Sequence, residues 1–94
     1  MGKTVINGGF EWDADKAASN LVKHEVSFEE AATVFSSDTV ETADSVDPTR
    51  TITVGFSAAA RILLVVSTEV DGDRIRIISA RRATRAERRA FEEG

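Results

Sequence analysis

Residues 62–80 read ILLVVSTEVDGDRIRIISA, and no other stretch restricts the fold as much. The opening ILLVV is a continuous apolar run, the pattern of a strand covered on both faces. Asp71-Gly72 follows as a two-residue turn signal, since Asp and Gly accept the positive φ that tight hairpins need. Beyond it RIRII alternates, which sends Ile75 and Ile77 to one face of a strand and Arg74 and Arg76 to the other. Residues 50–56 alternate as well, with Ile52, Val54 and Phe56 on one side. Three strands in succession with short links predict an antiparallel meander.

Helical signals flank that meander. Asp13 is placed to cap a helix running to about residue 23, in which Ala17, Ala18, Leu21 and Val22 recur at helical spacing. Ser27-Phe28-Glu29-Glu30 reads as a capping box, and Val26 can staple onto Ala31. The helix it opens is expected to reach about residue 35 and to bury Phe28, Ala31, Ala32 and Phe35. Thr84 and Glu87 form a second capping box, opening a last helix over about 85–92. A short strand at 10–12 completes the order β-α-α-β-β-β-α: an α+β fold in which two N-terminal helices and one C-terminal helix pack on a small antiparallel sheet. Residues 1–9 read as a fraying leader to a single domain spanning 1–94, and the polar, acidic residues 36–49 as a long mobile connection.

The chain has no Cys and one His, so thiolate metal sites and disulfides are excluded and no metal or cofactor is expected. No apolar run nears the roughly 20 residues of a membrane span, and a cytoplasmic location is the default expectation. Charge is distributed unevenly. Residues 1–73 carry five Lys/Arg against thirteen Asp/Glu, whereas residues 74–94 carry seven Arg against three Glu. Because salt screens each charge beyond about 10 Å, this basic tail can bind a polyanion even though the whole chain is acidic. The same tail suits an acidic protein partner.

Two blocks, FEWDADKAASNLVKHEVSFEEAATVF and DRIRIISARRATRAERRAFEE, closely resemble the BrnT family of bacterial type II toxins, in the same element order over residues 10–93. The resemblance implies a RelE-like fold and metal-independent endoribonuclease activity that arrests growth. It also implies neutralisation by a BrnA-like antitoxin with a ribbon-helix-helix domain, DNA contact only through the toxin–antitoxin complex, and a heterotetramer of the two. The alternative is a catalytically inactive toxin-like partner that serves the DNA-binding repressor complex. Three departures stand out. Glu25 replaces the glycine that ends the first helix, Phe91 replaces a tyrosine of the last helix, and the SAAAR turn before Ile62 is poorer in glycine.

Cleaving RNA without a metal needs a base for the 2′-hydroxyl, cations for the phosphorane and an acid for the leaving oxygen. His24, the only imidazole, and Lys23 beside it are candidates for proton transfer, with a helix-end hydrogen bond as the plain alternative for His24. Arg76, mid-strand, reads as a bidentate phosphate clamp, and Arg81 as a second. Arg74 reads instead as an ion pair with Glu69 across the hairpin. Lys16 lies two turns from Lys23 on the same helix face, within reach of an RNA phosphate. Arg82 and Arg85 are RNA-binding candidates, with pairing to Glu87, Glu92 or Glu93 as the alternative. A helical path from Arg81 would place it on one side with Arg85, Arg88 and Arg89. Trp12 either stacks on a base or packs in the core. Phe35 and Phe91 are expected at the surface.

Overall fold

The computed structural model describes residues 3–94. Its centre is a six-stranded sheet in the order β1-β2-β6-β5-β4-β3, formed by β1 (Thr4–Asn7), β2 (Phe10–Asp13), β3 (Thr39–Ala43), β4 (Thr51–Phe56), β5 (Ile62–Val70) and β6 (Arg74–Arg82). Helices α1 (Ala14–His24) and α2 (Phe28–Thr33), with a 3-10 turn over Val34–Ser36, separate β2 from β3. Helix α3 (Arg85–Glu93) ends the chain. The expected β4-β5-β6 meander is present.

Two strands correct the sequence reading. The described part of the leader is a strand, since β1 pairs with β2 from Thr4↔Asp13 to Asn7↔Phe10 around Gly8, whose φ is 61°. The expected mobile connection contains β3, in register with β4 from Thr39↔Gly55 to Ala43↔Thr51. Both are edge strands, mostly exposed and too short to show a clear apolar alternation, although Val5 of β1 packs partly against the core. The sheet is also mixed, because β2 runs parallel to β6 through Phe10↔Ile75 and Glu11↔Arg76.

The core lies between one face of the sheet and α1–α2. Trp12, Val26, Phe28, Ala31, Val34, Leu63, Val65, Ile77 and Ala80 form it. Trp12 is 2% exposed and meets Phe28 edge-on, with ring centroids 6.0 Å apart. Val26 and Ala31 are both fully buried, as a staple requires. Phe35, read from its helical spacing as buried and elsewhere as a surface position, is half-buried against Phe10, and Val34 takes the buried place expected of Ala32.

Helix α1 departs furthest from its apolar pattern. Asp13 caps it by accepting from the Asp15 and Lys16 amides. Leu21 and Val22 nevertheless face solvent, and the one buried residue of the helix is Asn20. The Asn20 amide donates to the Val26 carbonyl at 2.9 Å and to the Ala80 carbonyl at 2.8 Å, while its oxygen accepts from the Ala80 amide at 3.2 Å. One side chain thus joins α1 both to the α1–α2 loop and to β6. Glu25 ends the helix in the left-handed region, at φ 58° and ψ 33°, where a side chain is disfavoured by roughly 1 kcal/mol relative to glycine. The chain turns as glycine would there, so His24 stays at the helix terminus.

A β-bulge decides where the basic side chains of β6 point. Val66 pairs with Ser79 and Ser67 with Ile77, leaving Ile78 as the extra residue. A one-residue shift exchanges the faces of everything beyond it. Before the bulge Arg74 and Arg76 lie opposite the core face. After it Ala80 and Arg82 share the core face, and Arg81 lies on the other with its partner Leu64.

Two substitutions test these features by urea denaturation followed through Trp12 fluorescence. Asn20→Ala leaves buried backbone groups unsatisfied and is expected to lower stability by about 2–4 kcal/mol. Glu25→Gly relieves the left-handed cap and is expected to raise stability by about 1 kcal/mol.

Candidate functional site

Three carboxylates each grip arginines. On the sheet face away from the helices, Glu11 of β2 accepts from Arg76 at 2.5 Å and from Arg74 at 3.1 Å. Those hydrogen bonds, Arg76 first, hold the Glu11 carboxyl below its usual range. The expected Arg74–Glu69 pair is therefore absent. Glu69 lies opposite Ile75, on the other face of the hairpin. Arg76 is not a free clamp, because any phosphate it met would first have to displace Glu11.

Arg81 is held as firmly. Its Nη1 and Nη2 donate to Glu87 at 2.8 and 2.9 Å. Glu87 also accepts from the Thr84 amide while Thr84 caps Glu87, so the second capping box is complete. The Arg81 hydrogen bond is the main cause that pushes Glu87 down to about 2. The helical path that would group Arg81 with Arg85, Arg88 and Arg89 is absent, because β6 continues as a strand through Arg82; Arg82 lines the groove with those three instead.

Glu30 forms the third node, and here the first capping box is only half made. Ser27 accepts from the Glu30 amide at 3.0 Å, but the Glu30 carboxylate turns away from the Ser27 amide. It binds Arg61 bidentately, through Nε and Nη2, and accepts from Ser57 Oγ at 2.7 Å. The Arg61 hydrogen bonds, helped by Ser57, hold its carboxyl below the ordinary range, and Arg82 adds its field. Arg61 Nη2 also donates to the Glu25 carbonyl at 3.1 Å, which ties the β4–β5 turn to the end of α1.

Beside this node opens a groove of about 580 Å³ between the start of β5, the end of β6 and α3. Arg61, Arg82, Arg85, Arg88 and Arg89 line it against the single carboxylate of Glu92. Phe56, Ile62 and Ala83 supply its apolar floor. Arg82, Arg85, Arg88 and Arg89 have no carboxylate partner among the described residues. Phe56 is 44% exposed and meets Phe91 edge-on at 5.8 Å. It is the aromatic face available beside these cations, whereas the burial of Trp12 leaves no surface for a base.

Lys16, Lys23 and His24 meet in a separate cleft of about 200 Å³, with Ser19, Asn20 and the bulge residues Ile78 and Ser79. Glu25, the residue after His24, ties the end of α1 to the groove through the contact of its carbonyl with Arg61. Sequence reasoning placed Lys16, Lys23, His24, Arg82 and Arg85 among the candidates and missed Arg61 and Phe56. The signal for Arg61 was absent because its partner Glu30 is 31 residues away.

The depressed carboxyl of Glu87 sets a pH window for the anchoring of α3. A folded-state value below the unfolded one stabilises above the unfolded range, near 4.5, and is lost as pH falls through about 2. The ion pair that docks α3 is thus expected to persist at pH 4 and to be lost toward pH 2, with far-UV circular dichroism reporting the helix. Glu87→Gln should remove that acid dependence.

The fold is similar to that of the Brucella abortus ribonuclease toxin BrnT in its 1.1 Å crystal structure, with a TM-score of 0.62 and 22% identity over 79% of this chain and 94% of that one. Among curated proteins no sequence relative matches. The profile of one family, described as the ribonuclease toxin BrnT of type II toxin–antitoxin systems, matches residues 12–87, and the chain belongs to that family.

Proposed function

We propose that this chain is a metal-independent endoribonuclease toxin whose RNA lies in the arginine groove. The observation that carries this reading is the groove itself, in which five arginines face one carboxylate above an apolar floor. Single-stranded nucleic acid is bound by a cationic track combined with an aromatic face, and Arg82, Arg85, Arg88 and Phe56 supply both. Arg82, and Arg61 through the Nη1 that its pair with Glu30 leaves unbonded, contact the scissile phosphate and stabilise charge on the phosphorane. Lys23 and His24, reached across the Glu25 carbonyl, move protons between the 2′-hydroxyl and the leaving 5′-oxygen. Arg76 and Arg81, the clamps expected from the sequence, hold the surrounding structure through Glu11 and Glu87.

Membership of a type II family implies an antitoxin partner. The partner in this reading is a BrnA-like ribbon-helix-helix protein, which brings DNA to a heterotetrameric complex, and the setting is the cytoplasm. No helix of the described residues is long and apolar enough to cross a membrane. One observation favours a second reading, a catalytically inactive partner in the repressor complex: the two arginines best placed by sequence, Arg76 and Arg81, are already occupied by carboxylates.

Incubation with a defined single-stranded RNA in EDTA separates the two. Cleavage is expected to survive the chelator and to fall at least about tenfold, the equivalent of 1.4 kcal/mol, in Arg61→Ala and in Arg82→Ala. The slope of log affinity against log salt should shrink by roughly 0.7 for each phosphate-contacting arginine removed. An intact chain that binds RNA with this salt dependence but yields no product would leave the second reading standing.

A further inference from the structure

Glu30 has two possible uses on α2, and the structure chooses the less local one. As the third residue of a capping box it could bond the Ser27 amide, but Ser27 caps the helix without help. The carboxylate instead spans to the β4–β5 turn, where both oxygens are taken by Arg61 and one also by Ser57. Ser57 Oγ accepts in turn from the Ala59 and Arg61 amides, at 3.2 and 3.3 Å, which shapes the turn that carries Arg61. Thr33 Oγ1 accepts from the Ala58 amide at 2.8 Å, so the same turn is fastened a second time to α2. The remaining guanidinium nitrogen contact reaches the Glu25 carbonyl, one residue from His24.

We infer that Glu30 is a positioning residue: it fixes the Arg61 guanidinium at the mouth of the arginine groove and, through the Glu25 carbonyl, fixes the end of α1 that carries Lys23 and His24. The inference rests on the endoribonuclease reading and adds a residue that would touch no RNA. Its consequence is opposite for binding and for turnover. A carboxylate beside the groove neutralises one of the cations that attract RNA. Removing its charge should therefore tighten binding, or leave it unchanged, and steepen its salt dependence by up to roughly 0.7 in log–log slope. Turnover should fall, since an arginine misplaced by about 1 Å forfeits up to about a hundredfold in rate. A residue that merely stabilised the fold would weaken both together.

The test is steady-state cleavage of a short single-stranded RNA by the full chain and by Glu30→Gln, with Arg61→Ala and the double variant beside them. Trp12 fluorescence and the melting temperature establish that each is folded. Glu30→Gln keeps the side-chain shape and the Ser27 cap, so folding should be retained. The expected result is a kcat reduced tenfold or more with KM unchanged or lower, and no further loss when Glu30→Gln is added to Arg61→Ala. Equal cleavage by wild type and Glu30→Gln, or additive losses in the double variant, would overturn the inference and leave the nuclease reading intact. A wild type that does not cleave would sink that reading. The clamp is then decided by the Arg61 Nε–H resonance. A sharp, slowly exchanging signal lost in Glu30→Gln supports it, and a signal unchanged in the variant overturns it.

Discussion

One buried amide determines where the first helix sits. Asn20 makes three hydrogen bonds to backbone groups of the α1–α2 loop and β6, at a position with 7% exposure. In that setting an unmet donor or acceptor costs more than a made bond contributes, so the helix has one orientation that satisfies all three. That orientation turns Leu21 and Val22 outward and brings Lys16, Lys23 and His24 over the bulge in β6. Apolar burial would have chosen a different face. The placement of the cationic end of α1 beside Arg61 follows from this polar contact rather than from the hydrophobic pattern.

The arginines divide into two sets by a similar local cause. The bulge at Ile78 changes the parity of β6, so Arg76 and Arg81 share one face and Arg82 stands on the other. Glu11 and Glu87 bind Arg74, Arg76 and Arg81 and draw these three into the scaffold, whereas Arg61, held by Glu30 through Nε and Nη2, lines the groove with Nη1 making no hydrogen bond. Arg82, Arg85, Arg88 and Arg89 are left unmatched along one groove. Exposed ion pairs contribute little stability singly. Their larger effect here is on distribution, because they decide which cations remain free to meet an external anion.

Features encoded within a few residues were legible in the sequence. The Asp13, Ser27 and Thr84 caps, the Val26–Ala31 staple and the β5–β6 hairpin around Asp71-Gly72 all depend on neighbours within one or two turns of chain. Features set by distant partners were not. β1 and β3 are short, mostly exposed edge strands whose pairing is recorded only in β2 and β4. Glu30 looked like the second half of a capping box, and nothing near it pointed to Arg61. Strict alternation placed Arg76 correctly opposite Ile77 but could not reveal the extra residue at Ile78. Arg81 was read on a helical path instead, although β6 continues through Arg82 and the extra residue turns Arg81 to the face of Arg76. The family resemblance identified the protein class without locating the groove, because it matches residue types along the chain and not the faces they occupy.

The least anchored wall of the groove is also its most charged. Helix α3 buries no residue and is joined to the sheet by the Arg81–Glu87 pair, the Thr84 capping box and the edge contact of Phe91 with Phe56. Arg85, Arg88 and Arg89 are spaced three and four apart, where like charges repel and each pair weakens an exposed helix by a few tenths of a kcal/mol. An anion seated among them converts that repulsion into attraction, so order in α3 and occupancy of the groove are linked equilibria in which each favours the other. A hydroxyl at Phe91, expected from the resemblance, is not needed for this linkage. What α3 needs from that position is an aromatic edge against Phe56, and phenylalanine provides it without a hydroxyl.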